Sequence, residues 1–132
     1  MNSATLNDLG FHSWRRFTVG VETHAPSTVG VYAFRSPTAI ILVKDSSDIM
    51  YIGRAMGVVH NLRHALELYL RPGPSQRTKI RVGRKALEEA WEVSWMENDF
   101  PADAECKLLK RFHSDHGQLP PENKMWPENC YP

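Results

Sequence analysis

Glu105 occupies a place where helix packing asks for an aliphatic side chain. Pro101, Ala104, Glu105, Leu108, Leu109 and Phe112 recur at helical spacing, and residues spaced this way share one face of an α-helix. An unpaired buried carboxylate is costly. Three outcomes are open: Glu105 pairs with a cation, for instance an arginine of the basic segment; it opens into a cleft and holds a metal ion; or it lies at the exposed edge of the stripe. The basic segment is Arg71, Arg77, Lys79, Arg81, Arg84 and Lys85, six cations between residues 71 and 85 with no acid among them. It reads either as a solvated helical face or as a phosphate-binding strip. His60 and His64 have the i, i+4 spacing of a two-histidine metal pair. No third ligand stands nearby and Asn61 follows His60 where the glutamate of that motif belongs, so exposed positions, or one histidine acting as a proton or charge donor, are the competing readings.

The elements that would position these groups can be read in order. Residues 1–27 show no sustained period and read as an N-terminal extension, with one short strand over 16–21. Val29–Phe34 and Ala39–Val43 are β-branched and aromatic runs bounded by turn residues, and Ile49–Gly53 follows the polar turn Lys44–Asp48; these read as three strands. Val58, Val59, Leu62, Leu66, Tyr69 and Leu70 recur at helical spacing, and Arg71-Pro72-Gly73-Pro74 ends that helix. A second helix is expected within 75–90, with Gly83 arguing against an unbroken one. Trp91-Glu92-Val93-Ser94-Trp95 alternates as a half-buried strand does. A final helix begins near Pro101, with a capping residue in Asn98-Asp99, and ends near Gly117; residues 125–132 form an irregular tail.

With 132 residues, 42% of them hydrophobic, and nine prolines, the chain fits one domain with a modest core. A net charge of +1 supplies no global attraction to nucleic acid. Two cysteines, Cys106 and Cys130, are too few for a disulfide scaffold and lack zinc-ribbon spacing, so reduced thiols in the cytoplasm are expected. No apolar run approaches a membrane span. Of Trp14, Trp91, Trp95 and Trp126, only Trp126 in the tail is a candidate for contact with nucleic acid; the others read as packing residues.

Gly30-Val31-Tyr32 and Tyr51-Ile52-Gly53, followed by Arg54-Ala55, a helix, a basic helix, the Trp91 strand, Ala104-Glu105, Leu108-Leu109 and Pro121-Glu122-Asn123, resemble the GIY-YIG endonuclease superfamily in order and chemistry. The chain looks particularly similar to the nuclease domain of the bacterial nucleotide-excision-repair incision protein, over about residues 28–124. It implies an α/β (α+β) fold in which a small mixed β-sheet is flanked by about three helices. It implies hydrolysis of DNA phosphodiester bonds with one Mg²⁺ or Mn²⁺ on Glu105, the metal and nearby cations stabilising charge on phosphorus. Tyr32 and Tyr51 would lie beside the scissile phosphate, one of them a candidate base whose phenol needs a cation to lower its pKa. Gly53 would allow close backbone approach, Arg54 would supply positive charge, and Asn123 would hydrogen-bond near the site.

Two features depart from that pattern. Eighteen residues separate Tyr32 from Tyr51, which implies an inserted hairpin arm over 36–48 or longer strands. The family's helix arginine falls on Asn61 when counted from Tyr51 and on Ala65 when anchored on Tyr69-Leu70; Arg63 serves only if the helix start is rotated, because it lies about 200° around the axis from either register. A catalytically impaired nucleic-acid-binding or interaction module is therefore the alternative expectation.

Overall fold

The computed structural model describes residues 1–132. The chain runs α1 (Ser3–Asp8), β1 (Arg15–Arg16), a 3-10 turn (Val21–His24), β2 (Gly30–Ile41), β3 (Ser46–Ala55), α2 (Leu62–Leu70), α3 (Arg77–Glu88), β4 (Glu92–Glu97) and α4 (Pro101–His116). The expected α/β fold is present, with four α-helices around one four-stranded sheet. Strand order is β1-β4-β2-β3 and every pairing is antiparallel, where a mixed sheet was expected. The reason is positional: β4 runs parallel to β3, but β2 lies between them and opposes both.

The two apolar runs expected at 29–34 and 39–43 form one strand, β2. Ser36-Pro37-Thr38 does not end it; the register slips between Phe34 and Arg35 and again between Arg35 and Ile40, and pairing resumes at Ile40↔Ser47 and Ile41↔Ser46. A bulge of this kind absorbs extra residues without breaking a hairpin. The segment 36–48 is accordingly a hairpin arm, closed at its tip by Leu42 N–H donating to the Asp45 carbonyl at 2.6 Å.

Alternation along β2 divides the core between two faces. Tyr32 and Phe34 join Phe17, Leu62, Leu66, Tyr69, Val82 and Ala86 under α2 and α3. Val31 and Ala33 join Ile52, Leu6, Leu108, Leu109 and Phe112 under α1 and α4. Residues 1–27 are thus more than an extension, since Leu6, Phe11, Phe17 and Val21 are core residues.

Local chemistry accounts for the helix limits. Asn61 caps α2, its Oδ1 accepting from His64 N–H at 2.9 Å. Val58 and Val59 therefore precede the helix, and their side chains face solvent. α3 is unbroken across Gly83, because a Cβ there would stand 2.2 Å from the Tyr69 carbonyl oxygen. The glycine that weakened the sequence-based expectation is what lets the end of α2 touch α3. Pro101 opens α4 and Gly117, at φ 76°, closes it in the left-handed conformation.

Cys106 and Cys130 form a disulfide, with an S–S distance of 2.13 Å, which corrects the expectation of reduced thiols. Spacing could not reveal it: the tail folds back along α4 only because it also runs beside β3. There Glu122 N–H donates to the Met50 carbonyl, and Asn123 bonds both backbone groups of Ile52, each at 2.9 Å. These contacts occupy the open edge of the sheet. No helix is long and apolar enough to cross a membrane.

Candidate functional site

Three phenols meet beneath α2. Tyr32 lies opposite Gly53 in the β2–β3 register, and a Cβ on Gly53 would fall 2.6 Å from the Tyr32 hydroxyl oxygen. Only glycine lets that ring lie across the neighbouring strand. Tyr69, in the last turn of α2, brings its hydroxyl within 2.8 Å of the Tyr32 hydroxyl, and its ring centroid is 6.2 Å from that of Tyr51. Burial pushes all three phenols above their ordinary pKa, Tyr32 and Tyr69 most strongly. The hydroxyls are consequently neutral hydrogen-bonding groups; none is poised as a base by the protein alone.

Arg54 follows Gly53 and so projects to the opposite face, where α4 packs. Its Nη1 donates to Glu105 Oε1 at 3.3 Å. Glu105 is 6% exposed, and burial raises its pKa from 4.5 to about 7, outweighing the lowering by Arg54. Oε1 carries the only hydrogen bond the carboxylate receives from the protein. The Glu105 charge is felt across the end of the sheet: after burial, it is among the groups that raise Tyr32 and Tyr51, while Arg54 lowers Tyr32. Arg54 also borders the cavity of about 400 Å³ into which Tyr32 faces. Arg54 thus stands between the Tyr32 cavity on one side and the Glu105 carboxylate on the other.

Comparison with protein-family models, with curated proteins and with solved structures returns no match. The site is read from its own chemistry.

The remaining expected residues divide. Asn123 does reach the site's frame, but through the backbone: it clamps Ile52, between Tyr51 and Gly53. Arg63 does not reach it. Its guanidinium donates to the carbonyls of Ala25, at 3.0 Å, and Thr23, at 3.3 Å. The cause is the start of α2, which Asn61 sets one residue before Leu62, turning Arg63 toward the N-terminal segment. Asn61 is occupied as a cap, and Ala65 lines the cavity with a methyl group, so α2 sends no arginine or lysine into the cleft. His60 lies before the cap and borders the cavity, while no group of three or more His, Cys, Asp or Glu side chains has metal-binding geometry. His60 and His64 do not share the one helix that the motif requires, because α2 begins at Leu62; their ring centroids lie 5.4 Å apart.

The basic segment is not one strip. Arg81 and Lys85 converge on Glu122, with Arg81 Nε donating to Oε1 at 2.9 Å and Lys85 Nζ to Oε2 at 2.8 Å. Burial pushes the Glu122 carboxyl up, but those two hydrogen bonds and the charges of Lys124 and Lys85 together more than offset it and hold the pKa below the usual range. Arg71 stands 4.0 Å from Glu67. Arg77 and Arg84 are exposed on the outer side of α3, and Lys79 turns inward to the cavity. Trp126 is half-buried, with its ring centroid 5.4 Å from that of His113.

Two residues of the site escaped the sequence reading. Tyr69 was assigned to the apolar stripe of α2, correctly, but its hydroxyl is what joins the phenols. Glu122 was only part of a tail motif. A polar tip on a stripe residue was the available signal for Tyr69; for Glu122, whose partners are 37 and 41 residues away, there was none.

Proposed function

We propose that this protein hydrolyses phosphodiester bonds in DNA, with one Mg²⁺ or Mn²⁺ held by Glu105. The observation that carries the reading is the placement of Arg54, which borders the cavity of about 400 Å³ beside Tyr32 and Lys79 and is also the one protein group that hydrogen-bonds the buried Glu105 carboxylate. Glu105 fits a hard cation because its Oε2 takes no hydrogen bond from the protein and because Mg²⁺ accepts a single protein carboxylate when water and phosphate complete its shell. Such an ion would polarise a phosphoryl oxygen and favour hydroxide over water.

The chain's own part is positioning and charge. The phenols, kept protonated by burial, offer O–H donors to phosphate oxygens. Arg54, shared with Glu105 in the free protein, supplies a guanidinium whose fork matches phosphate geometry. The exposed Arg77 and Arg84 offer contacts to flanking DNA. The Cys106–Cys130 bridge fits an oxidising compartment better than the cytoplasm expected from the cysteine count. The decisive assay is cleavage of supercoiled and branched DNA in Mg²⁺ and Mn²⁺, each with and without reductant. Cleavage abolished by Glu105→Gln supports the reading; intact DNA with the parent protein under every condition overturns it.

A second reading is favoured by one observation: α2 contributes Asn61 and Ala65, and Arg63 is spent on backbone carbonyls. A catalytically impaired DNA-binding module would bind DNA with a steep salt dependence and lose no affinity on Glu105→Gln.

A further inference from the structure

Lys79 is a cation without an anion. It lies in the first turn of α3, half-buried, and makes no ion pair or hydrogen bond with any protein group. Its Nζ stands 5.4 Å from the centroid of the Tyr69 ring, a contact that compensates an ammonium only in part. The cost of burial is visible in its pKa, which is pushed below the ordinary lysine value. Four other cations of the basic segment avoid that cost, since Arg81 and Lys85 pair with Glu122 and Arg77 and Arg84 face solvent. Only Lys79 points inward.

The cavity it enters is lined by Tyr32, Arg54, His60 and Gln76 as its other polar groups, and by no carboxylate. Every one of these side chains can donate a hydrogen bond. A concave site of about 400 Å³ that offers donors and positive charge, and no fixed negative charge, selects an anion with several acceptor oxygens. Arg54 is partly neutralised by Glu105, which leaves Lys79 as the unshared charge.

We propose that Lys79 and Arg54 form a two-cation seat for a single phosphate group in the cavity beside Tyr32. The seat rests on the phosphodiester reading for its biological substrate, but it is defined by phosphate chemistry and can be tested without cleavage. Arg54 reaches it from β3 and Lys79 from α3, so a phosphate bound between them would join the sheet to the helical layer. The Tyr32 hydroxyl, already bonded to Tyr69, would donate to a third oxygen.

The test uses the full-length protein and a 5′-phosphorylated thymidine dinucleotide without metal. Binding is measured for the parent, Lys79→Met, Lys79→Arg and, as a surface control, Lys110→Met on the exposed side of α4, with thermal melts confirming that each is folded. Loss of one charge-assisted contact should weaken binding about tenfold in Lys79→Met, with recovery in Lys79→Arg and no change in Lys110→Met. Equal weakening by Lys110→Met would show diffuse attraction and overturn the seat, as would unchanged binding by Lys79→Met. Should Lys79→Met fail to fold, ¹³C-methylated lysines on the parent protein give the answer. The signal absent from Lys79→Arg must move on adding the phosphorylated dinucleotide and stay still with thymidine, which carries no phosphate; no movement at saturation overturns the proposal. A protein that binds the probe through Lys79 yet cleaves no DNA retains the seat and loses the hydrolytic reading. One that cleaves DNA at the parental rate as Lys79→Met, with an unmoved signal, loses the seat and retains hydrolysis.

Discussion

Arg54 and Glu105 stand 3.3 Å apart and share one hydrogen bond, which leaves the carboxylate buried but under-compensated. A metal ion or a phosphate arriving at this pair would exchange one partner for another, with no need to open a closed salt bridge on both sides. The raised pKa of Glu105 expresses the same imbalance.

That imbalance makes stability depend on pH with a defined sign. Between pH 4.5 and about 7 the folded chain retains a proton on Glu105 that the unfolded chain has released. Stability therefore falls as pH rises through this window and stays low above it. Glu105→Gln removes the penalty, so in a chelating buffer the variant should exceed the parent by on the order of 3 kcal/mol at pH 8 and match it below pH 4. Denaturant unfolding across pH measures this; a parent that gains stability relative to the variant as pH rises would contradict the assignment.

Gly53→Ala tests the seating of Tyr32. The new methyl would lie 2.6 Å from the phenol, so the ring must move and surrender its 2.8 Å contact with Tyr69. A loss of about 1–3 kcal/mol is expected, as for overpacking a filled core, together with loss of DNA cleavage. A variant that melts with the parent would show that the ring does not cross the strand there.

Asn123→Ala should destabilise the protein by about 1–3 kcal/mol, because the Ile52 N–H and C=O on the edge strand lose their partners together. Amide exchange at Ile52 should accelerate while exchange at Val31, on the inner strand, follows global unfolding. Equal protection at Ile52 in parent and variant is the outcome that removes the clamp.

Reduction of Cys106–Cys130, which are 24 residues apart, should lower stability by about 3 kcal/mol from the restored freedom of the unfolded chain. Before reduction, thiol labelling in denaturant should find no free cysteine. Labelling of both residues in unreduced protein would return the chain to the dithiol form expected from its composition.

Much of the scaffold was legible because its signals are local. The 3.6-residue period located α2 and α4, alternation located β4, and Gly117 marked the end of a helix. Gly83 misled because a helix-weakening residue and a close-packing residue look the same in sequence; the Tyr69 carbonyl beside it decides which it is. Val58 and Val59 matched the helical period by chance, while the cap that excludes them, Asn61, was read only as a replacement for an arginine.

By itself the sequence determined that a carboxylate interrupts the apolar face of α4, that two tyrosines lie in β-forming segments and that cations gather between residues 71 and 85. Each is a statement about neighbours along the chain. Only the tertiary structure decided that Glu105 meets Arg54, 51 residues away, that Tyr69 joins the phenols, and that Lys79 alone among the basic segment turns inward. Those outcomes depend on strand register and on the approach of α2 to α3, where one residue of slip would exchange a buried face for an exposed one.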